Sequence, residues 1–170
     1  MGCAFLIHYV IEQLPYSWKE LETVGKFAKN EKISFISDNI LVAGCDIGSE
    51  THYLRAIDTR GREISKKAFA FSNDAEGFAS AKDWLLKLAV ANGKDQIVVG
   101  LEPTGHYWFC LAAWLVTNGI SVVQVNPYAV KQTKEVEDNS QLKDDRKDPK
   151  LIANLVKDGN YGMPYLPEGV

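Results

Sequence analysis

Ile40-Leu41-Val42-Ala43-Gly44-Cys45-Asp46 is the stretch on which the fold turns. Apolar or small residues run without alternation and then end on a carboxylate. An unbroken run of this length is what a strand buried on both faces requires, since a half-exposed strand would alternate. A second run, Ile97-Val98-Val99-Gly100-Leu101, ends in the same way on Glu102. A carboxylate at the tip of a buried strand is costly to desolvate unless a cation or hydrogen-bond donors meet it.

Working outward, residues 40–46 predict a central strand, residues 52–58 a second strand, and Asp58-Thr59-Arg60-Gly61 a turn. Residues 62–71, mixed in polarity, predict a third strand, which completes an antiparallel meander. Asn73 or Asp74 is placed to cap a helix. Its apolar positions, Phe78, Ala81, Trp84, Leu85, Leu88 and Ala89, keep a helical period to about Ala91, where Asn92-Gly93 stops it. A fourth strand at 96–101, a helix over 105–117 and a fifth strand at 120–125 follow. Asn126-Pro127 starts another helix as cap and first position. A last helix over 145–158 carries Leu151, Ile152, Leu155 and Val156 on one face. Upstream, the capping-box spacing of Ser17 and Glu20 and the period of Leu21, Val24, Phe27 and Ala28 predict a helix over 18–29. Glu31 to Asn39 then leads into the first strand. The order from residue 40 is β-β-β-α-β-α-β-α, an α/β domain with a mixed five-stranded sheet and helices on both faces.

The chain has 170 residues, the size of one domain, with 46% hydrophobic and 24% charged residues, the balance of a globular protein. A net charge of −3 gives no global basic character, so any nucleic-acid contact must come from a local patch. Cys3, Cys45 and Cys110 are odd in number and lack a CxxC pattern, so they are expected to be reduced, with no zinc or disulfide framework. No apolar run reaches the roughly 18 residues that span a bilayer. The first ten residues lack a basic n-region, and Leu6 breaks the myristoylation pattern. A cytoplasmic protein without a membrane partner is the expectation.

Three blocks could carry chemistry. In Asp46-Ile47-Gly48 the carboxylate is a candidate metal ligand, although a turn-capping Asp would look the same. The same Asp-x-Gly pattern opens phosphate loops in actin-like kinases. In Glu102-Pro103-Thr104-Gly105-His106-Tyr107-Trp108, Pro103 stiffens the strand exit, and Thr104 is placed to cap the following helix and favour a phosphate there. His106 has the chemistry of a proton shuttle, but a histidine there is more often an ordinary first-turn polar residue. Asp145 and Asp148 have i, i+3 spacing, so on a helix they share a face and repel unless a cation intervenes. Asp144 is an alternative to Asp145, and Asp148 before Pro149 also reads as an N-cap. Lys131, Lys134, Lys143, Arg146, Lys147 and Lys150 surround this last block. Asn139 and Ser140 add neutral donors suited to phosphate or sugar.

Taken together, Val42 to Gly48, Gly100 to Trp108, Val123 to Pro127, Asn139-Ser140 and Lys143 to Asp148 resemble the DEDD-type transposases of bacterial insertion sequences. That family includes the Piv-type DNA invertases. The resemblance covers residues 40–158 and implies a ribonuclease-H-like fold similar to the Holliday-junction resolvase RuvC. It implies DNA strand cleavage and transfer, with Mg²⁺ or Mn²⁺ held by Asp46, Glu102, Asp145 and Asp148. Nucleic-acid contacts are implied at Thr104, His106, Asn126, Lys131, Lys134, Asn139, Ser140, Lys143, Arg146 and Lys147. The family's last block usually reads Lys-Thr-Asp-Arg-x-Asp-Ala, whereas here Asp144 replaces the Thr and Pro149 the Ala. Full family members continue into a second domain bearing a serine, and some are guided by a structured RNA.

The division that follows is an N-terminal extension at 1–39, a RuvC-like catalytic domain at 40–158 and an irregular tail at 159–170 leading to a C-terminal domain. Expected partners are insertion-sequence ends, target DNA, a guide RNA and, in the full-length protein, further copies of the chain. Its expected place of action is the bacterial cytoplasm, in association with the nucleoid. As a fragment, the chain is expected to bind nucleic acid weakly and to cleave poorly or not at all. The competing readings are an actin-like sugar kinase or ATPase fragment and a non-catalytic nucleic-acid-binding module.

Overall fold

The computed structural model describes residues 29–137, 148–162 and 164. Its elements are α1 (Lys29–Phe35), β1 (Ile40–Asp46), β2 (Thr51–Ile57), β3 (Phe69–Ser72), α2 (Ala75–Ala91), β4 (Gln96–Leu101), α3 (Trp108–Thr117), β5 (Ser121–Gln124), α4 (Pro127–Glu137) and α5 (Asp148–Lys157). The five strands form one sheet in the order β3-β2-β1-β4-β5. β1 pairs antiparallel with β2 and parallel with β4, and β4 pairs parallel with β5. This is the mixed sheet of a ribonuclease-H-like fold, with β1 at its centre.

The unbroken apolar run of β1 has the consequence expected of it. Alternate side chains serve two separate cores. Leu41, Ala43 and Cys45 join Ala81, Leu85, Leu111 and Leu115 of α2 and α3 on one face. Ile40 and Val42 join Val130 of α4 and Leu151, Ile152, Leu155 and Val156 of α5 on the other. Ile36, just past α1, belongs to this second cluster.

Several boundaries differ from the sequence reading. The helix expected over 18–29 lies outside the described residues except for Lys29, and the described helix runs on to Phe35. Tertiary contacts hold it there: Lys32 Nζ donates to Tyr161 O at 2.8 Å, and the Tyr161 hydroxyl donates to Lys32 O at 2.7 Å. The third strand was expected over 62–71 but forms a ladder at Phe69–Ser72, with one isolated bridge from Glu63 to Ile57 before it. Before it, the Ser65 hydroxyl accepts from Ala56 N–H at 2.8 Å, so a side chain replaces the ladder carbonyl. Ile64 and Ser65 N–H both turn to Ala56 O.

α3 begins at Trp108 rather than 105 because Gly105 takes φ +59°, outside helical space. Thr104 therefore does not cap it: the cap position is Tyr107, which makes no side-chain cap bond. The described part of the last helix runs over Asp148–Lys157, and the expected start at 145 lies outside the described residues. Cys45 is buried and free, as expected. Cys110 is disulfide-bonded, against expectation, because an odd cysteine count does not preclude one pair.

Other local signals hold. Asp74 caps α2, accepting from Gly77 N–H at 2.7 Å. Asn126 Oδ1 accepts from Tyr128 N–H at 2.8 Å at the start of α4. Among the described residues, no helix is long and apolar enough to cross a membrane.

Candidate active site

Strand parity decides where the two strand-end carboxylates lie. In β1, Ile40, Val42 and Gly44 face the α5 side, and Asp46 is next in that phase. In β4, Val98 and Gly100 face the same side, and Glu102 follows in phase. Gly44 and Gly100 are register partners on adjacent parallel strands, as are Cys45 and Leu101. Asp46 and Glu102 therefore leave neighbouring strands at one height, on the face that α4 and α5 cover.

The two glycines let α5 approach. A Cβ on Gly44 would stand 1.8 Å from Pro149 O and 2.6 Å from Ala153 N. A Cβ on Gly100 would stand 2.3 Å from Val156 Cγ2. Because Pro149 touches Gly44, Asp148 beside it on α5 is held close to the end of β1. The repeated spacing Gly44-x-Asp46 and Gly100-x-Glu102 was visible in the chain as a signal of this arrangement, and the sequence reading left it unused.

Lys134 is the hub of the site. It stands one helical turn beyond buried Val130 on α4, which turns it toward the sheet. Its Nζ lies 2.6 Å from Asp148 Oδ2, with 39% and 29% of the two side chains exposed. It also interacts electrostatically with Glu102 and Asp46. Burial alone would lower the pKa of this ammonium. The Asp148 hydrogen bond and charge, then Glu102 and Asp46, overcome that and raise it above the ordinary lysine value. Burial pushes the Glu102 carboxyl above the usual range, Lys134 opposes this, and Asp148 adds to it.

Of the expected acidic quartet, then, Asp148 pairs directly with Lys134, Asp46 and Glu102 end the adjacent strands and act on Lys134 through their charge, and Asp145 lies outside the described residues. Among the described residues no three His, Cys, Asp or Glu side chains stand close enough to hold an ion together. Asp46, Glu102 and Asp148 are all carboxylates, the oxygen donors that a hard divalent cation prefers. Mg²⁺ or Mn²⁺ fits this donor set in chemistry.

The expected nucleic-acid contacts fall in different places. Thr104, His106, Asn126 and Lys131 are exposed, with the Asn126 side chain engaged in its helix cap. Lys134 is turned inward onto Asp148. Asn139, Ser140, Lys143, Arg146 and Lys147 lie outside the described residues. Lys150, from the same basic group, pairs with Glu63, which also meets Arg55 at 3.5 Å.

His52 was missed. It is fully buried, and its Nδ1 accepts from Gly48 N–H at 3.2 Å, which ties the turn after Asp46 to β2. Its ring lies 5.2 Å from that of Phe71. Burial lowers its pKa, and Asn73 opposes the shift. The Asn73 amide donates to Ser49 O at 3.1 Å, and Nε2 has no hydrogen-bond partner among the described residues. The signal was its position in phase with Leu54 and Ala56, the inward residues of β2. Gly48 is required by space, since a Cβ there would stand 2.2 Å from Thr51 O.

A ribonuclease-H-like sheet with carboxylates at the ends of two adjacent parallel strands and at the start of the last helix defines the class of this domain. Residues 43–165 match the family model of IS110-type DEDD transposases, described as a transposase, and the chain belongs to that family. The "Putative transposase y4uE" of Sinorhizobium fredii (strain NBRC 101917 / NGR234) is 28% identical over 116 residues, which is 68% of this chain and 31% of that protein. The chain thus spans about a third of the length of this curated relative. A crystal structure of ethanolamine utilization protein EutJ from Carboxydothermus hydrogenoformans aligns with a TM-score of 0.32 and 16% identity, over 61% of this chain and 47% of that one. So loose a likeness carries no argument.

Proposed function

We propose that residues 40–158 form the metal-dependent catalytic domain of a DNA transposase that cleaves and transfers strands at insertion-sequence ends. Residues 1–39 are an extension to this domain, and 159–170 lead toward the remainder of the full-length protein. The observation that supports the reading is that Asp46 and Glu102 end adjacent parallel strands in register, on the face covered by the helix whose Asp148 pairs with Lys134. Partly buried carboxylates brought near one another repel unless a cation is present.

Asp46, Glu102 and Asp148, joined by Asp145, would hold Mg²⁺ or Mn²⁺. The ion, when bound, supplies Lewis-acid polarisation of a scissile phosphate. The chain's own residues do the positioning. The Gly44 and Gly100 contacts bring α5 against β1 and β4, and His52 fixes the turn that follows Asp46. The exposed residues Thr104, His106, Asn126 and Lys131 border this end of the sheet and would meet the DNA backbone, with Asn139, Ser140, Lys143, Arg146 and Lys147 of the adjoining segment. The serine-bearing second domain, a guide RNA and self-association belong to the full-length protein, which acts in the cytoplasm at the nucleoid.

Thermal melting with and without Mn²⁺ tests the reading. The wild type should melt higher with the ion, and Asp46→Asn should lose most of the rise. A folded wild type whose melting does not respond to Mn²⁺ or Mg²⁺ would overturn it.

A further inference from the structure

We propose that the cleft between α1 and the carboxyl ends of β4 and β5 is a phosphodiester-binding groove, which holds the DNA strand running on from the acidic end of the sheet. The inference rests on the transposase reading above for the identity of the strand, and it concerns a part of the molecule apart from the carboxylates. The cleft has a volume of about 690 Å³. α1 contributes Lys29 and Lys32 to it, and the junction of β5 with α4 contributes Gln124 to Pro127. The chain beyond α5, from Gly159 to Gly162, lines it as well. Its described lining holds two lysines and no carboxylate, in a chain whose net charge is −3. A cleft lined by one sign of charge concentrates ions of the other sign.

Specific contacts build the walls. Gln124 N–H donates to Gly162 O and Gly162 N–H to Gln124 O, both at 2.8 Å, so the chain after α5 lies along the outer edge of β5. Lys32 Nζ donates to Tyr161 O and the Tyr161 hydroxyl to Lys32 O, which fastens α1 to that segment. Gly159 takes φ +77°, and a Cβ there would stand 2.9 Å from Ile33 Cγ1, so the close passage beneath α1 needs glycine. The donors suit a phosphate. An ammonium carries three N–H groups, and the Tyr161 carbonyl takes one from Lys32. Asn126 uses Oδ1 in its helix cap, so its amide hydrogens are what it offers a ligand. Gln124 and Asn160 add two more side-chain amides. Position points the same way. β4 and β5 are parallel and both end at the cleft, and ligands of α/β sheets bind in the crevice outside the carboxyl ends of their strands. Pro103 in the lining directly follows Glu102, so a strand with its scissile phosphate at the acidic end continues into the cleft.

The test is fluorescence anisotropy with labelled DNA oligonucleotides of unrelated sequence, in EDTA and at several salt concentrations. The proteins are wild type, Lys29→Ala, Gly162→Glu and Lys87→Ala, with circular dichroism as a check on folding. Lys29 is exposed, and a Cβ on Gly162 meets no described atom within 4 Å, so neither change disturbs the packing. Lys87, exposed on α2 against the other face of the sheet, is the control. Lys29→Ala should weaken binding to every sequence about two- to fivefold, the size of one exposed ion pair, and lower the salt-dependence slope by about one. Gly162→Glu, which brings a carboxylate to the lining, should weaken binding at least as much, and Lys87→Ala should match wild type. Wild-type affinity and slope in the folded cleft variants, or the same loss in Lys87→Ala, overturns the groove and leaves the transposase reading standing. Binding of an RNA strand but not of DNA with the same sequence overturns the DNA assignment. So does displacement of the DNA by inorganic phosphate at a matched phosphate concentration, which would make the cleft a free-anion site. A folded wild type that binds no DNA overturns the proposal outright, while the Mn²⁺ melting test above decides the transposase reading separately.

Discussion

The backbone carbonyl of Pro149 packs against the bare Cα of Gly44, so close that a Cβ there would stand 1.8 Å from the oxygen. The contact joins the N-terminal part of α5 to Gly44, two residues before the end of β1. Gly44→Ala must push α5 away as a backbone unit. The expected loss is at or beyond the upper end of the about 1–3 kcal/mol typical of overpacking. Gly100→Ala meets only the end of the Val156 side chain and should cost less. Urea denaturation of the two variants checks the order, and an equal or reversed cost would show that α5 is not seated on Gly44 in solution.

His52 supplies a pH-dependent stability. Burial lowers its pKa below the ordinary 6.5, with Asn73 opposing, so the native ring prefers to be neutral. Below pH 6.5 the unfolded chain binds a proton that the native chain resists. The stability associated with this residue is therefore complete above that value and is lost as pH falls below it. His52→Phe should flatten the dependence between pH 5 and 7 while loosening the Gly48 turn. Chemical denaturation across that range checks it, and identical slopes in both proteins would remove His52 as the cause.

Asp58 is buried, and its carboxylate accepts from the N–H groups of Arg60 at 2.9 Å and Arg62 at 2.8 Å and from Arg62 Nε at 2.5 Å. Burial pushes its pKa up, but these bonds and the guanidinium charge win and hold it below the ordinary carboxylate value. Its contribution is present above pH 3.8 and is lost as pH falls through the depressed value. Asp58→Ala leaves the turn's donors without their acceptor and should destabilise by about 1–3 kcal/mol at neutral pH. Thermal denaturation at pH 7 measures this, and a neutral outcome would mean that water replaces the carboxylate at no cost.

Lys131 is exposed on α4, whereas Lys134, three residues on, is paired inward. If Lys131 meets a phosphate, Lys131→Ala should weaken binding to unrelated DNA sequences alike and reduce the salt-dependence slope by about one. Fluorescence anisotropy at several salt concentrations reads both quantities. An unchanged slope would place the DNA elsewhere.

Much of the fold was legible because its determinants are local. The apolar runs at Ile40–Cys45 and Ile97–Leu101 read as two-face-buried strands, and both are. Asp74, Asn126 and the Asn92-Gly93 stop were legible because caps act within a few residues. The third strand was overcalled because Ser65 withdraws the chain from the ladder through a bond that only the neighbouring strand makes visible. The extent of α1 depends on Tyr161, which lies 129 residues from Lys32.

The candidate site divides along the same line. That Asp46 and Glu102 end buried strands is a property of the chain, because hydrophobic patterning places strands and their ends. That the two side chains leave on one face, at one height, required the parallel register of β1 with β4. The inward turn of Lys134 onto Asp148 was decided only by packing: a lysine in a charged segment reads as solvated until the helix bearing it docks over carboxylates from three other elements. Local sequence sets which residues are available, and only the assembled sheet and helices set which charges must share one small volume.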